Sequence, residues 1–134
     1  MLIFSKYKKK TLLFSYHKYD KKNDQREDIT PPETFLQCSF LSKDRGFTIN
    51  PHYHKSNNRL SKKTNEAWIV IRGQLQADLY DLNNTKIETL ILKKGSCLIM
   101  HNGGHALKIT KKNTLFYEIK NGPYNKKIND KVVI

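Results

Sequence analysis

After Thr34 the hydrophobic and polar positions fall into short apolar runs, each closed by a turn signal, which is the pattern of strands rather than of helices. The runs predict strands near residues 35–41, 46–54, 66–72, 74–81, 86–92, 97–101, 105–110 and 114–120. The breaks between the later runs lie at Asp81 to Asn84, Lys93 to Gly95, Asn102 to Gly104 and Lys111 to Asn113. Asparagine at the first of these tolerates the positive φ of a hairpin turn. The expectation is an all-β sandwich or barrel, with no solenoid repeat.

Ahead of Pro31 and Pro32 the pattern changes. Residues 1–30 are polar and basic, with aromatics scattered around Leu12, Leu13 and Phe14. They read as a basic N-terminal arm or edge strand, followed by one domain over 31–134. A chain of 134 residues can bury a core without disulfide staples. Cys38 and Cys97 each lie in an apolar stretch and are expected as buried thiols of a reducing compartment rather than as a bridge. No apolar run reaches the length of a membrane span. The basic residues near the N-terminus follow its short apolar patch, the reverse of a secretory signal, so a cytoplasmic protein is expected.

Charge changes the picture less than its size suggests. Lysine and arginine number 25 against 12 acidic residues, a formal net charge of +13. The lysines are spread over tails and turns, where they keep loops solvated and sheet edges unpaired. Arginine, the usual reader of bases, occurs only at Arg26, Arg45, Arg59 and Arg72. Nucleic acid is therefore not the expected partner.

Chemistry concentrates in the middle of the chain. His52 and His54 are one residue apart, so on an extended strand both side chains would share a face while Tyr53 points the other way. With Glu66 and His105 they make a candidate set of imidazole and carboxylate donors for a divalent metal. If Glu66 faces the interior, Trp68 and Val70 face in with it and Ala67, Ile69 and Ile71 pack on the other face. Glu66 is then partly buried and needs a partner for its charge. Glu118 and Lys120 alternate on the last strand, so they share a face as candidate acid or base and anion clamp. His101 is a candidate proton carrier or supporting partner. Lys55 and Arg59, with Lys62 and Lys63, lie in a polar insertion suited to gripping phosphate, and Tyr53 and Trp68 are candidates to shape a pocket.

Gly46-x5-His52-x-His54 and Glu66-x6-Gly73 resemble the two halves of the first cupin motif, with a longer polar gap, Lys55 to Asn65, between them. Gly95 and His105 fit the second motif. His101 stands where proline is usual, the glycines are Gly103 and Gly104, and Ile109 replaces an asparagine. Residues 26 to 124 are similar to a subgroup of small single-domain cupins, through Arg26 to Ile29, Phe35 to Gln37, Pro51 to Lys55, Gly103 to His105 and Glu118 to Tyr124. Several of these lie among genes for surface-polysaccharide or nucleotide-sugar synthesis. The resemblance implies a double-stranded β-helix, the cupin jelly-roll barrel. It also implies one divalent metal ion (Zn, Fe, Mn or Ni) on His52, His54, Glu66 and His105, and pairing into a homodimer. It does not imply a reaction.

Three functions follow as expectations. The first is an enzyme acting on a sugar or nucleotide-sugar, as an isomerase or epimerase in which Glu118 or His101 moves a proton. The second is a non-haem metal-dependent dioxygenase, which needs open coordination positions. The third is a non-catalytic small-molecule or metal-binding module.

Overall fold

The computed structural model describes residues 1–19, 25–123 and 131–134; Tyr124 and part of the expected arm over 1–30 lie outside them. The described residues form ten strands and no helix: β1 (Leu2–Phe4), β2 (Leu12–Lys18), β3 (Gln25–Asp28), β4 (Ser39–Ser42), β5 (Glu66–Arg72), β6 (Gln74–Tyr80), β7 (Lys86–Lys93), β8 (Ser96–Met100), β9 (Gly104–Ile109) and β10 (Leu115–Lys120). No helix among them is long and apolar enough to cross a membrane. The strands make three antiparallel sheets: five strands in the order β1-β2-β8-β5-β10, three in the order β7-β6-β9, and the β3-β4 hairpin.

Alternation along the strands assigns their faces. β6 alternates without a break, burying Leu75, Ala77 and Leu79, as a strand covered on one face should. These meet Leu13, Phe14, Trp68, Val70, Leu92, Leu98 and Met100 in the main core, between the five- and three-stranded sheets. Ala67, Cys97 and Ile99 form a second apolar cluster with Ile29, Leu36, Cys38 and Ile69. The parity expected for β5 is therefore observed, with Trp68 and Val70 in one cluster and Ala67 and Ile69 in the other. β8 lies between β2 and β5 and is buried along its whole length, because both of its faces are covered.

Two expectations are corrected. Residues 46–54 form no strand; they belong to a long exposed segment between β4 and β5. Pro51 cannot donate to a ladder, and although Phe47, Ile49 and Tyr53 alternate with polar residues, all three are exposed, so no neighbouring layer covers that face. Among the described residues the sheets do not join into a closed barrel. Within residues 1–30, β1 is an edge strand and β2 an internal one between β1 and β8, with both Leu13 and Phe14 fully buried.

Two local devices set the register. Asp81, at the β6–β7 turn, accepts hydrogen bonds from the Ser5 hydroxyl (2.5 Å) and from the backbone N–H groups of Lys6 (2.7 Å), Tyr7 (3.1 Å) and Leu82 (2.7 Å). The N-terminal segment is thereby pinned to the smaller sheet. Asn84 takes the expected positive φ, 65°. Gly73 turns the chain from β5 into β6 at φ +82°, where a Cβ would lie 2.6 Å from Thr114 Cα, so no other residue fits without strain.

Candidate functional site

The polar cluster at the start of β5 grows out of strand pairing. In the β5–β10 ladder Glu66 faces Lys120 and Trp68 faces Glu118, which places alternate residues of both strands on one face. Asn65 and Asn121 fix the alignment. The Asn65 N–H donates to Asn121 Oδ1 (2.6 Å), the Asn121 N–H to the Asn65 carbonyl (3.3 Å), and the Asn121 side-chain amide to the Lys63 carbonyl (3.1 Å).

Glu66 is 8% exposed. Its carboxylate accepts from Trp68 Nε1 (2.7 Å), lies 3.1 Å from Lys120 Nζ, and stands 3.7 Å from His105 Nε2. Lys120 Nζ is also 2.8 Å from Glu118 Oε1, so one ammonium bridges two carboxylates. The Trp68 ring meets His105 edge-on at 5.2 Å and Phe116 at 6.3 Å, giving the cluster an aromatic floor. Glu118 is the outermost member, its side chain 47% exposed against 30% for Lys120.

The charges support one another. Burial pushes the Glu66 carboxyl up, but the neighbouring His105 and Lys120 outweigh it and hold the group at about 2, well below its ordinary value. Lys120 is raised, chiefly by its bond to Glu118 and further by Glu66, against the opposing effect of burial. At neutral pH the site holds an ionised, largely buried Glu66 carboxylate beside the Lys120 ammonium, with the Glu118 side chain at its outer edge.

The other candidates are elsewhere. His52 and His54 are exposed in the segment before β5, their rings edge-to-face at 5.3 Å, with His52 Nδ1 2.8 Å from the Asn50 carbonyl. Tyr53, Lys55 and Arg59 lie on the same exposed segment, Tyr53 being 89% exposed. Lys63 Nζ bonds Asn102 Oδ1 at 2.6 Å. His101 is buried, its Nε2 2.9 Å from the Ser15 hydroxyl and its N–H on the Leu13 carbonyl, and burial lowers its pKa toward the neutral ring. The structure therefore gathers Glu66, His105, Trp68, Glu118 and Lys120, and leaves His52, His54, Tyr53, Lys55, Arg59 and His101 apart from them.

The metal implied by the cupin resemblance can be tested against this geometry. Among the described residues no three histidine, cysteine, aspartate or glutamate side chains stand close enough to hold an ion. Glu66 and His105 are adjacent, but the Lys120 ammonium already sits on the carboxylate, where a cation would compete with it. In the described conformation the four donors do not fit a single ion. Sequence reasoning missed the Asn65–Asn121 clasp. Its signal was an asparagine directly after Lys120, opposite another directly before Glu66.

No family model, no curated protein and no solved structure matches the chain.

Proposed function

We propose that this chain is a jelly-roll protein of the cupin type that binds a sugar or nucleotide-sugar and moves a proton on it, as an isomerase or epimerase does. The reading is carried by Lys120, held between Glu66 and Glu118 above an aromatic floor. Glu118, the accessible carboxylate, takes a proton from the carbon next to a substrate carbonyl. Lys120 donates a hydrogen bond to the oxygen as negative charge develops there. For isomerisation the enediolate hydroxyl proton passes through solvent to the former carbonyl oxygen and Glu118 returns its proton to the adjacent carbon; for epimerisation the proton returns to the opposite face of the same carbon after the substrate turns. Glu66 keeps Lys120 charged and in place. The His105 Nε2 is turned to Glu66 and its Nδ1 is buried, so His105 acts as a positioning residue.

The test is hydrogen exchange in D2O. Incubation with sugars and nucleotide-sugars, followed by proton NMR, should show deuterium entering next to the carbonyl of a substrate. Glu118→Gln should abolish exchange while retaining binding, read by the fluorescence of Trp68, the chain's one tryptophan. Exchange at the wild-type rate in Glu118→Gln would remove the acid–base role.

A metal-centred form of the same site is a second reading, favoured by His105 Nδ1, a buried ring nitrogen without a hydrogen-bond partner among the described residues. It calls for the segment bearing His52 and His54 to fold onto Glu66 and His105 and for Lys120 to withdraw. No step of the proton transfer above depends on it.

A further inference from the structure

Away from the polar cluster, the fold brings two sulfurs together from different layers. Cys97 sits within β8 and is 6% exposed; Cys38 lies just ahead of β4, half-buried, 59 residues away in sequence. Their Sγ atoms are 4.0 Å apart. A disulfide requires about 2.05 Å, so bridging asks the two sulfurs to approach by about 2 Å. Cys38 is held at this distance by its N–H on Thr30 Oγ1 (3.0 Å) and by its carbonyl, which accepts from the Ile29 N–H (2.9 Å). The surroundings, Ile29, Leu36, Ala67, Ile69 and Ile99, are apolar, so Cys97 is closed off from water while Cys38 keeps one side toward solvent.

We propose that Cys38 and Cys97 are a reversible redox pair, with Cys38 as the entry thiol and Cys97 as the resolving thiol, and that small-molecule disulfides are the oxidant class. The Cys38 thiolate attacks one sulfur of R–S–S–R, that S–S bond breaks, and R–S⁻ leaves and takes up a proton. Cys97 then attacks the Cys38 sulfur of the mixed disulfide and expels the second R–S⁻, which takes up the proton that Cys97 gives up. Two electrons pass from the protein to the oxidant, leaving one internal bridge and two R–SH. The division of labour follows exposure, since only Cys38 reaches solvent enough to meet the reagent. Its hydrogen bond with Cys97 also holds the Cys38 thiol at about 7, below the ordinary thiol range, while the same bond and burial push Cys97 up. The bridge would tie the outer hairpin to the central sheet.

Incubating the folded full-length protein with oxidised glutathione, then measuring intact mass, tests this. The expected product is about 2 Da lighter, without a retained glutathione, with a peptide map joining residues 38 and 97, and reverts with dithiothreitol. Its Tm should rise by roughly 5–10 °C, because a long loop is closed. Cys97→Ser, or Cys97→Ala should serine not fold, is expected to stop as a mixed disulfide on Cys38, whereas Cys38→Ser stays unmodified. The proposal is overturned if the wild type stops as a stable mixed disulfide, or stays a dithiol under conditions that bridge the urea-unfolded chain. It is equally overturned if Cys38→Ser is modified at Cys97 as fast as the wild type reacts.

Discussion

Replacing Glu66 by glutamine removes one charge and keeps the shape of the side chain. The Trp68 N–H retains an oxygen acceptor, so the change isolates the electrostatic work of the carboxylate. The group falls from an ordinary value of 4.5 to about 2 in the folded protein, which bounds its contribution at about 3 kcal/mol. Lys120 and Glu118 are 30% and 47% exposed. Water therefore screens the cluster, and about 1–2 kcal/mol is the reasonable magnitude. For a chain of this size that is a Tm lower by roughly 5 °C at pH 7. The sign of the pH dependence follows from the lowered value. Stability from the carboxylate is fully present above 4.5 and is lost as pH falls through about 2, where the folded form takes up the proton. Thermal melts of both proteins, followed by circular dichroism from pH 7 to 2, should show a gap that is widest at neutral pH and closes in that window. An unchanged gap at pH 2, or none at pH 7, would refute the electrostatic account.

Other outcomes follow from the same coordinates. Asp81→Asn should lower stability by roughly 2 kcal/mol through weaker bonds to the N-terminal segment. Amide hydrogen exchange should then rise first at Lys6 and Tyr7, the residues whose N–H groups it holds. Gly73→Ala should cost about 2 kcal/mol or more in urea unfolding, since the backbone there is left-handed and Thr114 occupies the space of a Cβ. Elemental analysis of protein purified without chelator decides the metal-centred form of the site. One ion per chain, lost in both His52→Ala and Glu66→Ala, would establish it, and equal content in wild type and His52→Ala would end it.

Much of the fold was legible because strand parity is a physical constraint that the sequence cannot avoid. The alternation over Gln74 to Tyr80 corresponds to one strand with matching burial, and the two apolar faces of β5 hold from Glu66 to Val70, whereas Ile71, expected to pack, is exposed. Glu66 stood out for the same reason, as a charge in register with core residues. The placement of residues 46–54 was not legible. Two histidines one residue apart share a face only if a ladder holds them extended, and Pro51 with its polar neighbours supplies none. Nor could residues 1–30 be assigned from pattern alone. Leu12 to Phe14 is a short apolar run, and only its long-range pairing with β8 makes it an internal strand. The Glu118–Lys120 pair was visible as shared parity, but the third member, Glu66 across the ladder, is a matter of register, which short sequence patterns do not encode.

The Asn65–Asn121 clasp has a consequence for how this molecule can vary. It fastens the chain immediately before β5 to the chain immediately after β10, so the entry point of Glu66 is fixed independently of the long segment that precedes it. Changes of length or composition ahead of Lys63, whose carbonyl joins the clasp, are therefore expected to leave the carboxylate and ammonium in alignment. The same arrangement makes that exposed segment the place where a designer would graft a new loop, leaving the pairing of Glu66 with Lys120 to the clasp and the ladder.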